Sequence, residues 1–168
     1  MCPGGLDSSL RKRKLFSGMN REQILQELKR AYGMELETVQ NYVSSSVNPD
    51  GVRSDVIKKA LAADISAELM HAQQLAARIK VLGGTVPGSL ELERSQQSLQ
   101  PPKESTDVVS VIKGVIEAEE GAIAQYSKII KLCEGSDYVT QDLVIEILGD
   151  EEEHRREFVG FLKEYEKK

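Results

Sequence analysis

Both histidines of this chain follow a glutamate by three residues, in the segments Glu68-Leu-Met-His71 and Glu151-Glu-Glu-His154. On an α-helix, residues three apart lie on the same face, so each pair can turn a carboxylate and an imidazole toward one point. A bundle of four helices that holds two metal ions takes Glu-x-x-His from two helices and one Glu from each of the other two. This pattern therefore favours a four-helix bundle around a pair of metal ions.

Composition and hydropathy agree with a soluble, all-α protein. Apolar residues make up 40% of the 168 residues and charged residues 29%, and strong helix formers dominate the middle of the chain. A chain of this length can bury a core as one domain. No apolar run approaches the roughly 18 residues that cross a bilayer, and the first residues lack the apolar region of a signal peptide. We therefore expect a cytoplasmic protein without a membrane partner.

Capping residues, turn formers and apolar periodicity predict four helices. The apolar repeat of the second predicted helix places Leu69 on or near its core side. The predicted helices run from Asn20 to near Val47 (A), from about Ser54 to Leu82 (B), from about Thr106 to Cys133 (C), and from about Asp137 to the C-terminus (D). Residues 85–105 hold three prolines and form a long connection between helices B and C. A crossover along a bundle requires such a connection, so the expected order is up-down-down-up.

The two ends of the chain differ in character. Residues 1–19 have no helical period and carry turn formers, which predicts a flexible N-terminal tail before a bundle domain over residues 20–168. The basic run Arg11-Lys-Arg-Lys14 in this tail could contact DNA phosphates, although a solvated tail is the simpler interpretation. The two cysteines are too few for a disulfide framework, and Cys133 on an apolar helical face is expected to be a small buried hydrophobe.

The two predicted hairpins resemble each other. Helix A places Tyr42 seven residues after Glu35, and helix C places Tyr126 seven residues after Glu119. These glutamates lie 33 and 32 residues before the glutamate of the Glu-x-x-His in the next helix. The chain is therefore interpreted as a duplicated helix pair around a pseudo-twofold axis. We expect the tyrosines to hydrogen-bond carboxylates outside the ligand set, with electron donation as an alternative role.

Glu35 and Glu119 lie on the apolar faces of helices A and C, where a carboxylate is costly unless it is paired or bound to a cation. Four converging carboxylates would repel one another, and two divalent ions would supply the compensating charge. Oxygen-rich ligation with one imidazole per ion suits iron or manganese better than copper. Glu68 and Glu151 are the predicted bridging carboxylates. The predicted ligands are Glu35, Glu68, His71, Glu119, Glu151 and His154.

Several neighbouring carboxylates compete with these ligands. Glu117 and Glu120 are alternatives to Glu119, which is favoured by the tyrosine spacing and by its place on the apolar line. Glu37, Glu152 and Glu153 are interpreted most simply as parts of solvated faces.

These residues resemble the ferritin-like superfamily and, within it, the bacterioferritin and bacterioferritin-like Dps branch. The resemblance covers residues 20–166. It is carried by Glu35-Leu-x5-Tyr42, Glu68-x-x-His71, Leu82-Gly-Gly-Thr-Val-Pro87 and Ile147-Leu-Gly-Asp-Glu-Glu-Glu-His154. It implies a ferritin-like four-helix bundle with two iron ions per subunit, which would oxidise Fe(II) with dioxygen or hydrogen peroxide. Members that form hollow shells store ferric mineral inside them.

Two features of this chain differ from those of bacterioferritins, and they change what we expect for haem and for the number of subunits. Bacterioferritins bind haem through a methionine directly after the helix B glutamate, where this chain has Leu69, with Met70 about 100° further around the helix. Haem is therefore not expected. Fourteen residues follow His154, fewer than a completed helix D and the fifth helix of 24-subunit shells require. A homo-oligomer, either a dodecamer or a dimer, is expected instead.

The resemblance thus implies a ferroxidase that serves iron storage or protection from iron-driven oxidative stress. One alternative is a peroxide-consuming di-iron or di-manganese protein, because both metals accept this ligand set. The other is a non-enzymatic shell protein that binds metal only structurally.

Overall fold

The computed structural model describes the backbone of residues 8–166 and the side chains of residues 20–166. Those residues form four long helices and no strand, which confirms the predicted all-α bundle. The helices are α1 (Ser8–Val47), α2 (Asp55–Val81), α3 (Val108–Cys133) and α4 (Tyr138–Tyr165), and a 3-10 turn over Ser89–Glu91 lies in the crossover. No helix in this part of the chain combines the length and apolar character that a membrane span requires.

Local capping explains where α3 and α4 begin. The side chains of Asp107 and Asp137 accept hydrogen bonds from backbone N–H groups three residues on, each at 3.1 Å, and so satisfy the free donors of the first turn. The end of α2 is set by Gly83, whose φ of 74° suits glycine after a helix terminus. These boundaries lie within about two residues of those predicted.

The predicted start of the first helix was wrong. α1 begins at Ser8 and not at Asn20, so residues 8–19 of the predicted tail are helical and continue into the bundle helix. Leucine, arginine and lysine are good helix formers, and this local preference prevails over the capping signal at Asn20. Residues 1–7 lie outside the described residues, and the flexibility of the N-terminal segment stays a prediction. The basic run Arg11–Lys14 falls within the helical extension.

The helices pack as two hairpins, α1 with α2 and α3 with α4, and α1 also contacts α3. Contacts between α1 and α3 run in opposite order along the two helices, because Tyr42 reaches Glu119 while Tyr126 reaches Glu35. With α1 antiparallel to both α2 and α3, the chain must travel the length of the bundle between α2 and α3. The predicted up-down-down-up order with one long crossover is confirmed.

Two apolar clusters fill the bundle, one toward each end. One contains Leu28, Leu75, Tyr126, Ile129 and Ile147, and the other contains Tyr42, Ile57, Leu61, Ile112 and Phe158. On each of the four helices, the predicted metal-ligating residues fall between the stretches that contribute to these clusters. The polar centre of the bundle therefore has an apolar layer on either side.

Leu69 does not belong to this core. It is 41% exposed, contrary to the prediction that placed it on or near the core side of its helix. The inward direction of α2 at this level is set by Glu68 and His71, both of which are about 1% exposed. Leu69 lies about 100° around the helix from Glu68 and so points outward.

The crossover is anchored by Glu37, which corrects a second prediction. This carboxylate was expected on a solvated face but is only 4% exposed. It accepts hydrogen bonds from the backbone N–H groups of Ser95, at 2.8 Å, and Gln96, at 3.2 Å. The Gln96 side chain in turn donates to Thr38 Oγ1 at 2.6 Å. A buried charge is tolerated here because it satisfies backbone donors of the crossover.

Gly114 allows the crossover to approach α3 closely. A Cβ at this position would lie 2.5 Å from the Ser98 carbonyl oxygen and 3.0 Å from the Leu99 Cα. We expect Gly114→Ala to destabilise the protein by about 1–3 kcal/mol, because the backbone of the crossover must move. Gly121→Ala is the matched control, since its Cβ would meet only the Met34 Cε at 3.7 Å.

Chemical denaturation of both glycine variants provides the measurement. The control is expected to be neutral or to stabilise the protein by up to about 1 kcal/mol, because alanine favours a helix over glycine. Equal unfolding midpoints for Gly114→Ala and Gly121→Ala would contradict the proposed close packing of the crossover.

Candidate metal centre

All six predicted ligands meet in the middle of the bundle. They form two overlapping groups, and within each group one ligand atom per residue lies within 4.8 Å of the others. The first group is Glu35, Glu68, His71 and Glu151; the second is Glu68, Glu119, Glu151 and His154. Glu68 and Glu151 belong to both groups, which is the arrangement that two bridging carboxylates require.

The imidazoles face the carboxylates through equivalent atoms. Nδ1 of His71 lies 3.1 Å from Glu151 Oε1 and 3.7 Å from Glu35 Oε2. Nδ1 of His154 lies 3.0 Å from Glu68 Oε1 and 3.5 Å from Glu151 Oε2. Each imidazole therefore approaches the shared glutamate of the opposite hairpin.

These close polar atoms are not aligned for hydrogen bonds with one another. Glu68 Oε1, both carboxylate oxygens of Glu151, and Nδ1 of His71 and His154 are buried without a hydrogen-bond partner in the described protein. Buried polar atoms of folded proteins almost always have such a partner or bind a cation. The donor set of carboxylate oxygens and imidazole nitrogens therefore fits a pair of divalent cations.

Two buried tyrosines tie the helices together across this centre. The Tyr42 hydroxyl donates to Glu119 Oε1, and the Tyr126 hydroxyl donates to Glu35 Oε1. These two hydrogen bonds are reciprocal, since each of α1 and α3 supplies one tyrosine and one glutamate. This agrees with the pseudo-twofold relation predicted from the sequence. The tyrosines were expected to contact carboxylates outside the ligand set, but they bind two of the predicted ligands, Glu119 and Glu35, directly.

The competing carboxylates lie outside the cluster. Glu117 and Glu120 are exposed on α3 whereas Glu119 is 2% exposed, so only Glu119 joins the groups described above. Glu120 pairs with Arg155 at 2.8 Å on the surface. Glu152 and Glu153 are exposed on α4, as predicted for a solvated face.

Sequence reasoning missed two residues beside the centre. Asp150 Oδ2 lies 3.2 Å from Nε2 of His71, the ring nitrogen that points away from the cluster. Asp64, one turn before Glu68, is half-buried with one unpaired oxygen, and burial raises its pKa to about 6. Asp64 lies four residues before Glu68 and so shares its helical face, a spacing that could have pointed to it. Asp150 contacts His71 from another helix, and no spacing along its own helix reveals that contact.

Burial and mutual contacts set the protonation of the centre when no cation is bound. Burial raises the pKa of Glu35 and of Glu119 well above the usual range of a carboxyl group. Burial lowers the pKa of His71 and His154, but the nearby carboxylates outweigh this effect and raise both values to about 11. Both imidazoles therefore hold a proton at neutral pH in the absence of cations.

Cation binding should therefore release protons. Because a divalent ion must displace the proton from Nδ1 of His71 and of His154, we expect about two protons or more to be released per pair of ions. The overall affinity for the pair of ions, which is the product of the two binding constants, then falls as the pH drops through the neutral range. The fall is about 100-fold per pH unit when two protons are released. Calorimetric titration with Mn(II) in buffers of different ionisation enthalpy measures this number. A heat of binding that is independent of the buffer would contradict the expectation.

Comparison with known proteins shows which family and fold this chain is similar to. A model of the ferritin-like domain matches residues 25–167. The DNA protection during starvation protein of Pyrococcus furiosus is 28% identical over 149 residues, which cover 87% of this chain and 80% of that protein. The bacterioferritin of Desulfovibrio desulfuricans is 26% identical over 133 residues, covering 79% and 70%. A dodecameric thioferritin, the bacterioferritin-related protein from Bacteroides fragilis, superposes with a TM-score of 0.78 at 26% identity, over 86% of this chain and 87% of that one.

Proposed function

Because this chain belongs to the ferritin-like family, we propose that its central cluster is a di-iron ferroxidase centre. The centre oxidises Fe(II) with dioxygen or hydrogen peroxide and serves iron storage or protection from iron-driven oxidative damage. The observation that carries this proposal is the pair of overlapping ligand groups that share Glu68 and Glu151 in the core.

In this proposal, each residue has a defined role toward the ions. Glu68 and Glu151 would be shared by both iron ions. Glu35 and His71 would complete the ligands of the first ion, and Glu119 and His154 would complete those of the second. The ligand set itself accepts both iron and manganese. Membership of the ferritin-like family is what favours iron.

The two electrons that the proposed redox step requires come from two Fe(II) ions, which become Fe(III). Two Fe(II) supply two electrons, which with two protons reduce dioxygen to hydrogen peroxide or reduce hydrogen peroxide to two water molecules. The chain contributes the environment of this step. The apolar clusters on either side of the centre limit access of water, and the Tyr42 and Tyr126 hydroxyls hold Glu119 and Glu35 in place. Burial raises the pKa of both tyrosines well above their usual value, so these hydroxyls stay protonated as donors.

The chain also fits a cytoplasmic homo-oligomer. The Bacteroides fragilis relative is dodecameric, and on this chain Leu69 and Met70 are 41% and 50% exposed on the outer face of α2. Large exposed apolar side chains are suited to contacts between subunits. We propose a dodecamer or a dimer, which sedimentation analysis of the purified protein distinguishes from a monomer.

A DNA contact through Arg11–Lys14 is a weaker proposal. It has the support of the basic run and of the name of the Pyrococcus furiosus relative. Deletion of the N-terminal residues up to Lys14 should abolish DNA retardation in a gel, and unchanged retardation would remove the proposal.

The ferroxidase proposal is tested by metal content and by anaerobic loading with Fe(II) followed by oxygen or peroxide. We expect about two ions per chain and a fast, saturable rise in near-ultraviolet ferric absorption. Two bound ions without oxidation by either oxidant would favour a structural metal site. Absence of stoichiometric binding would overturn the ligand assignment itself.

A further inference from the structure

The pseudo-twofold relation between the two metal positions does not hold for the residue that precedes each shared glutamate. It relates Glu68 to Glu151 and His71 to His154, each in the sequence Glu-x-x-His. The residue before the helix α4 glutamate is Asp150, whereas the equivalent residue on α2 is Ala67. Only one of the two imidazoles therefore has a carboxylate available at this place.

Asp150 contacts the ring nitrogen of His71 that faces away from the cluster. Its Oδ2 lies 3.2 Å from Nε2, while Nδ1 of the same ring faces the bridging and terminal carboxylates. A carboxylate that accepts the Nε2 proton leaves the Nδ1 lone pair free for a metal ion and fixes the orientation of the ring. His71 is also 1% exposed, so packing further limits its movement.

His154 is held less firmly. Its Nδ1 faces Glu68 and Glu151 in the same way, but none of the described residues forms a hydrogen bond with its Nε2. The half-buried Asp64 carboxylate interacts with His154 electrostatically, but its buried Oδ2 has no hydrogen-bond partner and so does not fix the ring. Its side chain is 13% exposed, compared with 1% for His71. The orientation of this ring therefore depends on fewer contacts.

From this asymmetry we infer that Asp150 is a positioning residue that makes the two metal positions unequal. The position of Glu35 and His71 binds its ion first and more tightly, and the position of Glu119 and His154 is the one from which an ion exchanges. The inference rests on the proposed function, because it takes the two positions as metal sites. Loss of a carboxylate behind a metal-ligating histidine costs about 10–100-fold in affinity.

The test measures each position alone. Glu119→Gln leaves the position of Glu35 and His71 complete, and Glu35→Gln leaves the other. Anaerobic Co(II) titration, followed by visible absorption and calorimetry, gives one Kd for each of these two backgrounds. Adding Asp150→Ala should weaken Co(II) binding about 10–100-fold in the Glu119→Gln background and less than about threefold in the Glu35→Gln background.

Two further variants test whether Asp150 acts by orienting the His71 ring, by its charge, or as any carboxylate on α4 would. Asp150→Asn keeps an oxygen that accepts the Nε2 proton, so it should retain more affinity than Asp150→Ala. Glu152→Ala removes an exposed carboxylate from the same helix and should leave both Kd values unchanged. Because Asp150 is 61% exposed, its replacement leaves no buried cavity, and circular dichroism should show the same helical content in every variant.

The outcomes distinguish this inference from the proposed function. If the unmodified protein binds no Co(II), the metal centre and the inference both fail. If it binds two ions but Asp150→Ala weakens both positions equally or neither, only the inference is overturned. An equal loss for Asp150→Asn and Asp150→Ala would also overturn it, because the effect would then come from charge and not from ring orientation.

Discussion

Replacing Glu68 and Glu151 together by glutamine is expected to abolish rapid Fe(II) oxidation and to reduce metal binding from about two ions per chain to none. Both residues belong to both ligand groups, so their loss removes ligands from the two positions at once. Loss of a residue that only hydrogen-bonds a metal ligand costs about 10–100-fold in metal affinity. Loss of two ligands that both positions share should therefore lower the affinity by more than about 100-fold. Glutamine has nearly the volume of glutamate, so the helical fold should persist.

The matched control replaces two exposed carboxylates near the same site, Glu117→Gln with Glu152→Gln. These residues lie on α3 and α4 close in sequence to Glu119 and Glu151, and both are exposed. The control makes the same change in net charge, so it separates ligand loss from a general electrostatic effect on Fe(II). Oxidation rates and metal content should stay at the level of the unmodified protein. If the two double variants behave alike, the assignment of Glu68 and Glu151 is wrong.

The helical features that could be predicted from sequence are those that obey a local repeat. Glu68 and His71, or Glu151 and His154, are brought together by the helix itself, because residues three apart share a face. The spacing from Glu35 to Tyr42 and from Glu119 to Tyr126 likewise follows two helical turns. These repeats were sufficient to predict the bundle and the residues that meet in its centre, whereas the crossover was predicted from the long connection over residues 85–105.

What sequence reasoning missed depends on contacts between elements. Glu37 is buried because the crossover returns over α1 and offers it the N–H group of Ser95, a contact between residues 58 apart. Asp150 reaches His71 from a helix 79 residues away. Leu69 was predicted near the core from an apolar repeat, whereas the polar centre set the inward direction of α2. For Glu37 and Asp150 the deciding partner lies far along the chain, where periodicity carries no information. For Leu69 the deciding residues are Glu68 and His71 on the same helix, whose inward direction leaves Leu69 on the outside.

Divalent cations are expected to raise the thermal stability of the protein by about 10–20 °C when two ions bind. Each ion that binds only the folded chain at 100 times its Kd adds about 2.7 kcal/mol. For a protein of this size each kcal/mol corresponds to about 2–4 °C in Tm, which gives about 5–10 °C per ion. The physical origin is the buried cluster of unpaired carboxylate and imidazole atoms, which the cations would satisfy. Mn(II) is suitable for the measurement because oxygen does not rapidly oxidise it at neutral pH.

Differential scanning calorimetry with excess EDTA, and then with Mn(II), measures this shift. The double variant Glu68→Gln with Glu151→Gln should unfold at the same temperature in both conditions, because it lacks the shared ligands. The double variant Glu117→Gln with Glu152→Gln should respond as the unmodified protein does. A shift of equal size in all three proteins would place the cations on surface carboxylates and not in the core. Since this readout needs no redox chemistry, it tests the metal centre independently of its activity toward Fe(II).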